Sequence, residues 1–145
     1  MDKLAWSAQM SLGVPAMDDA HKALIEELAR LQFAPALEFS KGFSALVDEL
    51  ERDFRDEERL MEAIEFPALQ SHREQHARVL GALHHLAPEV MRGDYESARK
   101  VIELLPQWFL FHLETMDAAL AVALELAKTK EYLPVLQSSE PLSSG

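Results

Sequence analysis

Asp53-Phe-Arg-Asp-Glu57-Glu-Arg-Leu-Met61, followed by His72-Arg-Glu-Gln-His76, is the stretch on which the reading of this chain turns. On a helix, residues four apart lie one above the other on a single face, so Asp53 pairs with Glu57 and His72 with His76. That face is apolar in both segments. Phe43, Leu46, Val47, Leu50, Phe54, Leu60, Met61 and Ile64 follow the helical period in the first, with Asp53 and Glu57 inside the stripe. Leu69, Val79, Leu80, Leu83 and Leu86 form the stripe of the second, and both histidines lie on it. A buried, unpaired carboxylate is too costly to keep charged, so it is neutralised, paired or bound to a metal. Two carboxylates and two imidazoles aimed at one core favour metal.

Working outward, Asp18 or Asp19 is expected to cap a first helix running to about Leu37, with Met17, Leu24, Ile25, Leu28 and Leu31 inward and His21 on the same stripe. Pro35 either stops it early or marks a loop at 33–39. Ser40 is expected to cap the second helix, which ends near Glu65 at Phe66-Pro67, and Pro67 suits the first turn of a third helix over about 67–90. Arg92-Gly93-Asp94 reads as a turn before a last helical segment, about 95–130, kinked or broken at Pro106. Trp108, Phe109, His112, Leu113, Met116, Leu120 and Leu124 make its apolar face. Residues 1–17 read as an ordered arm rather than a helix. The chain divides into a bundle over 1–132 and a flexible Ser/Pro-containing tail over 133–145. With no strand alternation and no internal repeat, the expectation is all-α: an antiparallel up-down-up-down four-helix bundle with an N-terminal arm.

At 145 residues the chain makes one domain that buries roughly 70% of its unfolded surface. Its 48% hydrophobic content is enough for a core. A formal net charge of −11 argues against nucleic acid and anionic membrane surfaces as partners. The absence of cysteine excludes thiolate ligands and fits a reducing cytoplasm. Neither a signal peptide nor an apolar run long enough to span a bilayer is apparent.

Each helix brings at least one metal-type side chain inward: His21, then Asp53 and Glu57, then His72 and His76, then His112. Asp117 follows His112 by five residues, about 140° around an ideal helix, which leaves it at the edge of the stripe unless a wide turn brings it inward. Taken singly, each has a plainer reading: a core histidine satisfied by a hydrogen bond, or a solvated acid, as expected for Glu51, Asp56 and Glu58. Inward-facing ligands on all four helices are hard to explain that way. His84 and His85 are adjacent, cannot share a face, and are left out. Seven nitrogen and oxygen ligands exceed one tetrahedral zinc and suit two metals bridged by carboxylates, for which Glu57 and Asp117 are placed on opposite helices.

These features resemble a hemerythrin-like domain of the bacterial type over about residues 4–130. The resemblance rests on Trp6 with His21 after it, Phe54-x-x-Glu57-Glu58-x-x-Met61, Phe66-Pro67, His72-x-x-x-His76 and Trp108-x-x-x-His112-x-x-x-x-Asp117. It implies two iron ions sharing an oxo or hydroxo bridge and reversible uptake of dioxygen. It further implies that His72, His76 and His112 hold the first iron, that His21 holds the second, and that Glu57 and Asp117 bridge them. Phe54, Trp108, Phe109 and Leu113 fall at the family's apolar oxygen pocket. One position departs: the family has histidine where Asp53 stands. Phe66 also replaces a tyrosine usual before that proline. The leading expectation is therefore a non-enzymatic oxygen-binding protein for storage, delivery or sensing. A di-iron oxidase or peroxidase, a regulatory module responding to iron or oxygen, and a metal-free bundle are the competing readings.

Overall fold

The first helix begins where a proline allows it. In the computed structural model, which describes residues 5–136 and their side chains through Lys128, Pro15 stands in the first turn of α1 (Pro15–Gln32). Its missing N–H would be unpaired there anyway, and its φ is already helical. Asp18 does not cap the helix. Its Oδ1 accepts from the Leu12 N–H at 2.8 Å and its Oδ2 from the Ser11 hydroxyl at 2.6 Å, which ties down the preceding arm. The arm contains one 3-10 turn, Ala8–Met10, and lays Trp6, Met10 and Leu12 against the core. Residues 1–4 of the expected arm lie outside the described residues.

α2 (Ala36–Ala63) starts directly after Pro35, so Ser40 lies inside the helix rather than capping it. The added turn buries Phe39 completely. Arg99 holds it there, donating to the Ala34 carbonyl at 2.8 Å with its guanidinium 4.4 Å from the centre of the Phe39 ring. Gly42 lets α1 and α2 close, since a Cβ there would meet Leu31 Cδ1 at 2.6 Å.

α2 and α3 (Leu69–Met91) end in the same hydrogen-bonded stop. After α2, Phe66 N–H reaches the Met61 carbonyl at 2.9 Å and Glu65 N–H that of Glu62 at 3.2 Å. After α3, Asp94 N–H reaches Glu89 at 2.9 Å and Gly93 N–H reaches Val90 at 3.0 Å. Each is a Schellman motif, which needs one left-handed residue. Gly93 supplies it at φ 88°, and Glu65 supplies it at φ 53° despite its side chain. Pro67 precedes α3 rather than opening it.

α4 (Glu96–His112) runs through Pro106 without the expected break. A proline forfeits one ladder hydrogen bond, and the burial of Pro106 with Leu105 and Phe109 carries the helix past it. The interruption comes instead at Leu113–Asp117, a π-helical segment, after which α5 (Ala118–Leu136) continues beyond the expected end near residue 130. The rest of the expected tail, 137–145, lies outside the described residues.

α1 packs on α2 and α4, and α3 packs on the same two, so the four layers close a ring of antiparallel neighbours. Its interior is not one apolar continuum. A large cluster that includes Leu28, Leu46, Leu50, Leu83 and Ile102 occupies one end, and Met17, Met61 and Leu120 form a smaller one. Among the described residues six more are buried without being apolar: His21, Glu57, His72, His76, His112 and Asp117. Among the described residues there is no strand, and no helix is long and apolar enough to cross a membrane.

Candidate metal centre

The π segment explains how a residue five places after His112 shares its face. Within it Ala118 N–H bonds to the Leu113 carbonyl, five residues back rather than four. The wider turn reduces the angle between residues five apart, and Asp117 swings from the edge of the stripe to full burial. Thr115 supports the widened turn by donating its hydroxyl to the Phe111 carbonyl at 2.7 Å.

The two buried carboxylates divide their oxygens between two groups of histidines. Glu57 Oε2 and Asp117 Oδ2 lie 3.3 and 3.2 Å from His21 Nε2. Glu57 Oε1 lies 3.3 Å from the Nε2 atoms of both His72 and His76. Asp117 Oδ1 lies 3.0 Å from His72 Nε2 and 3.2 Å from His112 Nε2. Those three histidines also converge on one another, with His72 and His76 Nε2 at 3.1 and 3.2 Å from His112 Nε2. Ligand atoms of Glu57, His72, His76, His112 and Asp117 all fall within 4.8 Å of each other.

This donor set fits a metal better than it fits protons. Donors about 2.1 Å from one ion at right angles stand about 3.0 Å apart, close to the spacing of the three Nε2 atoms. Glu57 Oε1 and both oxygens of Asp117 are buried without a hydrogen-bond partner, although histidine nitrogens crowd them. Buried polar atoms left without partners are costly. A cation on each side of the carboxylates would satisfy all of them.

Without metal, protons take that role. Burial opposes charging His21 and His72, but the carboxylates of Asp117 and Glu57 set against them outweigh it and raise each pKa to about 9. Burial likewise pushes Glu57 up, yet the close imidazoles of His21, His72 and His76 bring it down to about 2. Asp117 is held far below the usual carboxylate range, its burial overridden by the imidazoles of His112, His21 and His72 around it.

Asp53 stands apart from the tight group. It is half-buried, its Oδ2 is buried without a hydrogen-bond partner, and the charges of His21 and Arg52 act to lower its pKa. Burial, then the charges of Glu49 and Glu57, raise its pKa to about 7. The aromatic residues expected near the site surround the histidines. Phe54 stacks on His76 with centroids 3.8 Å apart and planes 1° from parallel, and Trp108 stacks on His112 at 4.6 Å and 14°. Phe109 meets His21 edge-on at 5.4 Å, and Leu113 is buried beside them in sequence.

Sequence reasoning missed the outer partners. Glu58, expected to be solvated, accepts from His76 Nδ1 at 3.2 Å and from Arg73 Nε at 2.9 Å. Gln75 Oε1 lies 3.4 Å from His112 Nδ1. These contacts cross from one helix to another, so no spacing within a helix announces them. Glu51 is also paired, with the exposed His84 on α3.

Comparison with known proteins agrees with this geometry. Residues 12–124 match the hemerythrin HHE cation-binding domain. A bacteriohemerythrin of Ralstonia nicotianae is 32% identical over 117 residues, covering 81% of this chain and 85% of that protein. A bacteriohemerythrin of Methylococcus capsulatus is 23% identical over 122 residues, covering 81% and 93%. The all-helical ring, its buried cluster of histidines and carboxylates, and a family match over most of the chain converge: this protein belongs to the hemerythrin HHE cation-binding domain family.

Proposed function

We propose that the chain is a di-iron protein that binds dioxygen for storage, delivery or sensing. The observation that carries this reading is the division of the Glu57 and Asp117 oxygens, one of each toward His21 and the other toward His72, His76 and His112. On it, His72, His76 and His112 would hold one iron, His21 and Asp53 would hold the other, and Glu57 and Asp117 would be shared between them. When bound, an iron pair supplies reversible two-electron chemistry toward dioxygen. The chain's own contribution is to fix the nitrogen and oxygen donors and to keep water away. Phe54 and Trp108 flank the three-histidine side, Phe109 covers His21, and Leu113 adds apolar surface, which together limit proton access to whatever binds there.

The test is to reduce the iron-loaded protein without air, admit oxygen, and record visible absorption before and after oxygen is removed. A band that comes and goes with oxygen is the expected result. Direct conversion to a stable ferric spectrum would end the carrier reading.

A second reading, an oxidase or peroxidase, is favoured by one observation: the carboxylate at position 53 with its buried, unpartnered Oδ2. An added anionic oxygen ligand favours oxidised iron over reduced. Turnover of peroxide well above that of a Glu57→Ala variant would establish that class.

A further inference from the structure

The four inward histidines are not equally supported from behind. His21 and His72 have no hydrogen-bond partner on Nδ1, and His112 faces the neutral amide of Gln75. Only His76, among these four, is backed by a carboxylate, that of Glu58. Glu58 does not hold this position alone. Arg73 donates to it through Nε at 2.9 Å and to Glu62 through a terminal nitrogen at 2.6 Å, so the guanidinium spans two acids on α2. Glu57 and Glu58, consecutive in sequence, thus divide the work, one facing the interior and the other bracing the ring it faces.

We propose that Glu58, locked by Arg73, is the positioning residue of the three-histidine side. It keeps the His76 proton on Nδ1, leaves Nε2 free as a donor, and makes that imidazole the most electron-rich of the set. This rests on the di-iron reading above but goes beyond it, since the ligand set alone assigns Glu58 no part. An outer acceptor of this kind fixes ring orientation and tautomer and raises ligand basicity, and its loss weakens metal affinity about 10–100-fold. Side chains of Arg73 and Glu58 are 40% and 22% exposed, so the pair adds little to the stability of the fold. Removing it therefore reports on the site.

The experiment measures iron(II) affinity without air by competition with a chelator, together with metal-free melting temperature and the reduction midpoint of the loaded protein. Glu58→Ala should weaken iron binding 10–100-fold while the metal-free melting temperature holds. Glu58→Gln, which still accepts from Nδ1, should recover most of the affinity but raise the midpoint, because the charge behind His76 is gone. Arg73→Met should fall between wild type and Glu58→Ala, and Glu62→Gln should match wild type. Equal affinity in Glu58→Ala and wild type would overturn the proposal, as would a Glu58→Gln variant no better than alanine. Should Glu58→Ala fail to fold, an unaltered affinity in Arg73→Met overturns it instead. If the unaltered chain takes up no iron, the di-iron reading falls and takes this one with it. If it does and Glu58→Ala matches it, only the role of Glu58 falls.

Discussion

At position 53 a half-buried carboxylate stands beside the charges of Glu49 and Glu57, and burial first, then those charges, push its pKa up to about 7. Replacing it with the neutral, longer imidazole should favour reduced iron. Asp53→His is expected to slow the decay of the oxygen-dependent absorption band several-fold; equal decay rates would count against a role for Asp53. The metal-free protein should also show a defined pH response. His21 and His72 are raised from 6.5 to about 9, so their stabilisation is complete below 6.5 and lost as pH climbs through 9. Asp53, raised from 3.8 to about 7, acts in the same direction over its own lower range. Glu57, lowered from 4.5 to about 2, withdraws its contribution as pH falls through that interval. Thermal melts without metal should therefore peak on the mildly acidic side and decline toward pH 9. Metal binding, which displaces those protons, should strengthen over the same rise. Spacing four apart revealed Asp53, Glu57, His72 and His76 in the sequence because that spacing is a property of one helix. Glu58 and Gln75 stayed hidden because their partners lie on other helices.

At the scale of the element, the π segment is the part most sensitive to length. Inserting an alanine after Thr115 would place Asp117 six residues past His112 and turn it about 100° away from the histidines. The expected outcome is loss of one carboxylate from the histidine cluster and of iron uptake with helical circular dichroism largely retained. Glu65 offers the opposite experiment. It holds a left-handed conformation that glycine adopts freely, so Glu65→Gly should raise stability by about 0.5–1 kcal/mol in urea titration. The wide turn was visible in the sequence only as a requirement, that Asp117 reach inward. Pro106 misled because a proline's local cost says nothing about the core contacts that outweigh it. Ser40 misled similarly: a good cap residue stands inside α2 because Phe39 and Arg99 secure an earlier turn.

For the whole molecule, the bundle was legible because its apolar stripes repeat with one period in four successive segments. What the stripes could not convey is that the interior is layered, with a polar centre meeting two apolar clusters. The large cluster carries the fold, and Leu28→Ala there should cost about 2–5 kcal/mol with or without metal. The centre carries the dependence on metal. Free iron at a thousand times its dissociation constant adds about 4 kcal/mol, which for a chain of this size is a rise in melting temperature of roughly 8–16 °C. Chelation should abolish that rise, and its absence from calorimetry would favour the metal-free bundle.

The parallel stack of Trp108 on His112 gives the centre an optical voice. An indole within a few ångströms of that imidazole is within reach of electron and energy transfer to an open-shell ion bound beside it, so its emission is expected to dim when such an ion arrives. Trp6, against the core by way of the N-terminal arm, is the chain's other tryptophan and a reference for the same spectrum. Loading and release can then be followed by intrinsic fluorescence in the unlabelled protein, with Trp108→Phe as the silent control.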